Sequence, residues 1–276
     1  MTYSGVIHNM EAKDYYAAPG LSNSQMKHLY PTPAHFLYAK ELEAADPDRP
    51  TTVDMMMGTL CHLFALEPGA TLPGVAIRPP GLVFNTKEGK AWRDDPIRKG
   101  VTIMHQDEHD IATAMAKAVC RHPKASRLLR RGHTEVSYFR TRDTECGPLL
   151  LKARIDFVPD GEKCLVDIKT AKSAVPEIWG AFAARARYHC QNVHYLDMHN
   201  TLVPDDPRDE LLFFVVEKTP PHLVACYTLS PMFLEVARRV LDQDMETYAR
   251  CATSGVWPGY SEGPVMIHPP NFLLYR

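Results

Sequence analysis

The sequence predicts an α/β fold, a mixed central β-sheet flanked by helices with a helical N-terminal region, and three observations carry it. Residues 149–158 and 163–169 alternate apolar and polar side chains around an Asp160-Gly161 turn signal, the pattern of a half-buried hairpin. Helical segments dominate the first half, near 22–44, 53–67, 106–120 and 124–131. Beyond residue 132, strands near 134–140, 211–218 and 222–229 alternate with helices near 175–199 and 231–253, which gives a sheet covered by helices.

Each element has a local reason. Ser22 or Ser24 can accept hydrogen bonds from the free amides that begin the first long helix. Pro68 to Lys99 is rich in Pro and Gly and is predicted to be a long loop, a candidate strand-guiding element. Pro204-Asp205-Asp206-Pro207 is a loop and not a domain linker. With 276 residues, 45% of them hydrophobic and 23% charged, the chain can bury a full core as one domain over 1–276. Residues 1–131 form its mostly helical part and 132–276 its sheet-bearing core.

The hairpin is where chemistry concentrates. Leu149, Leu151, Ala153, Ile155 and Phe157 fall on one side of the first strand, and Lys152, Arg154 and Asp156 on the other. On the second strand Val166 and Ile168 face one way, and Leu165, Asp167 and Lys169 the other. A two-residue turn at Asp160-Gly161 pairs Asp167 with Arg154 and sets it diagonal to Asp156, at roughly 7–8 Å between backbone positions. Two carboxylates so placed can share one cation.

Charge and cysteine usage bound the function. The 31 basic against 33 acidic residues argue against a general nucleic-acid coat, so any DNA contact needs a local patch. Arg121, Lys124, Arg127, Arg130 and Arg131 form one candidate group; Lys87, Lys90, Arg93, Arg98 and Lys99 form another. Each fits phosphate tracking or a solvated helix face. Seven single cysteines without a Cys-x-x-Cys pair point to reduced thiols in a cytoplasm. No signal peptide precedes Tyr3-Ser4-Gly5, and no apolar run is long enough to span a bilayer. Gly81 to Lys90 is too long for a phosphate loop and is followed by Ala91 where Ser or Thr must bind magnesium. His189, Cys190, His194 and His199 lack a complete set of close zinc ligands, and no Gly-x-Ser-x-Gly elbow is present.

Asp156 followed by Asp167-Ile168-Lys169 resembles the signature of the PD-(D/E)xK nuclease superfamily. Gly58 to His62 resembles the Gly-x-x-x-His element of RecB-type nucleases, and Gln191 to Tyr195 the Gln-x-x-x-Tyr element of RecB-type and exonuclease VIII (RecE) nucleases. These elements and Glu135 stand in the order the family demands. Tyr15 to Leu29, Pro33-Ala34-His35-Phe36 and Thr86 to Trp92 are similar to segments of prophage exonuclease VIII-like proteins, so the resemblance runs from about Tyr15 to the Trp257–Tyr260 region. No cysteine set for the iron–sulfur cluster of Cas4-like or AddB-like relatives is evident.

The resemblance implies a restriction-endonuclease-like core and a metal-dependent exonuclease acting from duplex ends, 5′ to 3′, in recombination. It implies Mg²⁺ or Mn²⁺ held by Asp156, Asp167 and the carbonyl of Ile168, with His62 completing or bordering the shell. Lys169 would orient or deprotonate the attacking water, Glu135 would border the same site, and Gln191 and Tyr195 would position the DNA backbone. Lys152 and Arg154, with Lys87, Lys90, Arg121, Lys124 and Arg127, are the candidate DNA contacts. Double-stranded DNA, a ring-shaped homo-oligomer and a single-strand annealing protein are the implied partners, and a bacterial or phage-encoded cytoplasmic protein the implied setting. A structure-specific endonuclease and an inactive DNA-binding or assembly module are the alternatives on the same fold; the intact Asp/Asp/Lys set argues against the second.

Overall fold

The computed structural model describes residues 3–45, 52–71, 74–98 and 101–270. The chain opens with β1 (Gly5–Ile7), α1 (Ala12–Ala17), β2 (Leu21–Ser22) and α2 (Asn23–Met26), which runs into a 3₁₀ turn over Lys27–Leu29. Then come α3 (Pro33–Ala45), α4 (Val53–Leu66), β3 (Val75–Arg78), α5 (Lys87–Arg93), β4 (Thr102–His105), α6 (Gln106–Arg121) and α7 (Pro123–Leu128). The second half holds the long strands β5 (Gly132–Thr144) and β6 (Gly147–Pro159), then β7 (Cys164–Ala171). It ends with α8 (Pro176–Arg185), α9 (Tyr188–Leu202), β8 (Glu210–Glu217), β9 (Val224–Tyr227) and α10 (Pro231–Ser254).

The main sheet runs in the order β1-β5-β6-β7-β8-β9, with β2 added in parallel to β6. β5 and β6 are antiparallel, β7 and β8 parallel, so the sheet is mixed as expected. Each face carries its own core. Leu151, Ile155, Leu165 and Phe213 pack against Trp179, Val193, Met198, Leu241 and Phe36 of α8, α9, α10 and α3. On the other face Phe157, Val166, Ile168 and Phe214 pack against Met56, Leu60, Met115, Val119 and Leu128 of α4, α6 and α7. Helices on both faces seal most of β7 and β8 from water, which is why β8 is a nearly continuous apolar run.

Four expectations change. The turn after β6 has four residues, Asp160 to Lys163, not two, and the registering pair is Phe157 with Val166. Asp167 therefore lies opposite Asp156 and not Arg154. The strict alternation also breaks at Asp156: Ile155 and Val158 join one core, while Phe157 joins the other. The predicted loop from Pro68 to Lys99 contains β3, which pairs with β4 in a separate two-stranded sheet, and α5, whose cap Thr86 accepts from Gly89 N at 3.0 Å. Lys99 itself lies outside the described residues.

The single helix expected over 175–199 is two helices. Arg187 sits between them in the left-handed region at φ 59°, a conformation costing a non-glycine residue about 1–2 kcal/mol. Its guanidinium forms an ion pair with Asp244 of α10, and that contact holds the break in place.

Candidate active site

The site occupies a split in the sheet. β5 covers one edge of β6 along its whole length. The other edge is shared: β2 pairs at Leu151 and Lys152, and β7 registers only at Phe157. Between those points Ala153 to Asp156 make no ladder pair on that edge, and the amide of Ile168 in β7 donates instead to the Asp156 carboxylate at 2.9 Å. Glu135 faces the same split from β5. It drops out of the ladder, although Thr134 and Val136 on either side stay paired, and takes a positive φ of 51°. Such a backbone persists only where its surroundings enforce it. Here the enforcement is Arg154, whose Nε donates to Glu135 Oε2 at 2.5 Å while its Nη1 donates to the Met10 carbonyl at 2.8 Å.

His62 arrives from α4, whose first turn is capped by Thr52, with Met56, Leu60 and Cys61 buried on the same helix. Its Nδ1 stands 3.2 Å from Asp156 Oδ2. One ligand atom each from His62, Glu135 and Asp156 lies within 4.8 Å of the other two. Two carboxylate oxygens and an imidazole nitrogen at that spacing fit a divalent cation. Gly58, one turn earlier, is not forced by crowding, since a Cβ there would meet only Thr170 Oγ1, at 3.6 Å.

Burial opposes the charge on Asp156, but His62, Lys169 and the Ile168 amide outweigh it and hold its carboxyl below the usual range. Glu135 goes the other way: burial and the Asp156 charge raise it more than Arg154 lowers it. The imidazole of His62 is disfavoured as a cation by burial, yet Asp156 raises its pKa on balance.

Asp167, fully buried, sits beside this cluster with its carboxyl pushed up to about 6 by burial and by Asp156. Gln191 Nε2 donates to its Oδ1 at 2.7 Å, and Lys169 Nζ lies 2.5 Å from its Oδ2. That contact is an ion pair without hydrogen-bond geometry, so Oδ2 still has capacity to accept. Burial disfavours the Lys169 ammonium, but Asp167 and Asp156 more than restore it. Tyr195 follows Gln191 by one turn, and burial then Asp167 and Asp156 keep its phenol protonated. Asp156, Asp167, Lys169, Glu135, His62, Gln191 and Tyr195 thus come together as the sequence order implied. For Ile168 the recorded contact is through its amide, not its carbonyl.

Lys152 and Arg154 are not placed as DNA contacts. Lys152 is 3% exposed, and its ammonium donates to the carbonyls of Tyr15, Tyr16 and Ala18 at 3.1, 3.3 and 2.6 Å. It bolts the end of α1 onto β6, as Arg154 bolts Met10 and Glu135. Lys87, Lys90, Arg121 and Lys124 are exposed and form no ion pair among the described residues; Arg127 is tied to Glu162. Of the histidines in the His189, Cys190, His194 and His199 set, two are engaged elsewhere: His199 Nδ1 contacts Tyr138 at 2.8 Å and His194 Nε2 the Lys152 carbonyl at 3.0 Å, while the buried His189 Nδ1 has no hydrogen-bond partner among the described residues. Sequence reasoning missed Tyr188, whose ring lies 4.8 Å from Lys169 Nζ and 5.4 Å from Lys27 Nζ. Only the helix break at Arg187 brings it there, and no turn residue announces that break.

Comparison with known proteins shows the family. Residues 22–268 match the family described as a PDDEXK-like domain of unknown function (DUF3799). A search of curated proteins finds no match. Among solved structures, the chain is similar to a crystal structure from Eubacterium rectale described as a putative exonuclease, with TM-score 0.61 and 12% identity over 96% of this chain and 97% of that one. It also matches the structure of SSO0001 at 14% identity over 69% of this chain and 86% of that one, with a TM-score of 0.28 that supports no comparison of folds. The match to the family spans nearly the whole chain, including every residue of the split, so the protein belongs to the PDDEXK-like family.

Proposed function

We propose that this protein is a metal-dependent DNA exonuclease that hydrolyses phosphodiester bonds from duplex ends. The observation that carries the reading is the meeting of His62, Glu135 and Asp156 within 4.8 Å, directly beside the Asp167–Lys169 pair, where the edge of β6 facing β7 leaves the ladder. His62, Glu135 and Asp156, with Asp167 Oδ2 shared with Lys169, would hold Mg²⁺ or Mn²⁺, which would supply Lewis-acid polarisation of the scissile phosphate and of a bound water. Lys169, kept protonated by Asp167 and Asp156, orients the attacking water and steadies charge growing on the phosphate. Gln191 holds Asp167 in place, and Tyr195 presents a neutral phenol to the DNA backbone. Arg154 aims Glu135.

End dependence, 5′ to 3′ polarity, a ring-shaped homo-oligomer around the DNA and service to recombination with an annealing partner come from the exonuclease VIII resemblance. Matched linear and covalently closed duplexes incubated with the protein and Mg²⁺ test the first two. Nucleotide release from linear DNA alone, starting at a 5′-labelled end, is expected; equal cutting of both forms would favour the endonuclease reading. Mass in solution tests the ring.

A further inference from the structure

Lys27 is a cation without a partner at the edge of the split. It follows α2, whose start is fixed by a reciprocal cap between Ser22 and Gln25. Its ammonium lies 5.4 Å from the centre of the Tyr188 ring, and Lys169 lies 4.8 Å from the same ring. Among the described residues the cations Lys169, Arg154 and Arg187 are each matched by a carboxylate, Asp167, Glu135 and Asp244 respectively. Among the described residues Lys27 has neither an ion pair nor a hydrogen bond from its Nζ, and that nitrogen is not sealed from solvent. Burial first, and then Lys169, press it towards losing its charge. A solvent-reachable ammonium with no protein acceptor, held over an aromatic ring beside Lys169, has three donors with which to take an anion.

We propose that Lys27, with the Tyr188 ring beneath it, forms an anion subsite that takes a phosphate of the DNA strand next to the scissile one. This rests on the nuclease reading above and names one of its substrate contacts. The subsite fixes the strand relative to Lys169 without joining the chemistry, so Lys27 is a binding and positioning residue. The Tyr188 ring lies against both ammonium groups, a contact sequence-tolerant binding can use because every nucleotide carries the same phosphate.

Fluorescence anisotropy of a labelled blunt duplex, with Ca²⁺ replacing Mg²⁺, measures the subsite without turnover. Lys27→Gln is expected to weaken binding several-fold at moderate salt. It should also make the dependence of log K on log salt shallower by about 0.9, the share of one lost phosphate contact. Lys27→Arg should keep the wild-type slope. In Mg²⁺ the Gln variant should raise KM with kcat little changed. A Gln variant with wild-type affinity and salt slope overturns the subsite, as does a collapse of kcat at unchanged KM. Wild-type protein that binds DNA with the expected Lys27 dependence yet never cleaves it overturns the nuclease reading and leaves the subsite standing.

Discussion

Lys152 on β6 and Lys169 on β7 are both lysines on alternating central strands, both withdrawn from water, and they do opposite work. Lys152 is surrounded by three neutral carbonyls, and burial leaves its ammonium less stable than in water. Lys169 stands against the buried carboxylate of Asp167 with Asp156 behind it, and its charge is reinforced. Carbonyls that end a helix offer a fixed cage and therefore a structural anchor. Coupled carboxylates offer a charge balance that a metal or a phosphate can tip, and therefore a reactive centre. A lysine's partners, more than its burial, decide which role it takes.

The comparison breaks most sharply by removing each ammonium in turn. Lys169→Ala should lower turnover of the folded fraction by about 10³-fold or more, because the lost stabilisation belongs to the transition state. Lys152→Met should do the reverse. Leaving buried carbonyls unsatisfied costs about 1–3 kcal/mol, seen as a lower Tm, while the activity of the folded fraction changes little. Equal activity losses in both variants would erase the distinction.

The two carboxylates sharpen it further. Asp167, with its carboxyl raised to about 6, carries the strain of the metal-free site, whereas Asp156 is held low. A raised carboxyl contributes stability below its unfolded value near 4, lost as pH rises through about 6. Asp167→Asn should therefore remove the loss of stability between pH 4 and about 6 in the metal-free protein, and Asp156→Asn should not. Chemical denaturation in EDTA measures both.

His194 supplies an opposite pH dependence close to the Lys152 anchor. Burial depresses its imidazole to about 4, against its hydrogen bond to the Lys152 carbonyl. A depressed histidine contributes stability above its unfolded value near 6.5 that is lost as pH falls towards 4, on the order of 3 kcal/mol at the limit. His194→Gln should flatten the acid limb of the Tm profile between those pH values. The smallest effect belongs to the exposed surface: Lys87→Ser with Lys90→Ser should leave stability within about 0.5 kcal/mol.

What the sequence made legible follows from what its periodicity can encode. Alternation located β6 and β7 and put Asp156, Asp167 and Lys169 together, because those signals are local. It could not fix the register, since a two-residue slip returns every side chain to the same face; only the four-residue turn at Asp160–Lys163 decides it. The break of alternation at Asp156 and the positive φ of Glu135 depend on β2 ending where it does and on Arg154. Lys152 and Arg154 looked like surface charges because their partners, the carbonyls of Met10, Tyr15, Tyr16 and Ala18, carry no side-chain signal and lie more than 130 residues away. Tyr188 was invisible because only the helix break at Arg187 turns its ring towards Lys27 and Lys169.

The most direct test of the metal-dependent site is Asp156→Ala assayed beside wild type, with Mn²⁺ binding by calorimetry and release of nucleotides from linear duplex DNA in Mg²⁺. The account predicts that wild type binds Mn²⁺ and degrades the DNA, and that the variant does neither while still unfolding cooperatively. Full cleavage by a folded Asp156→Ala protein would contradict it.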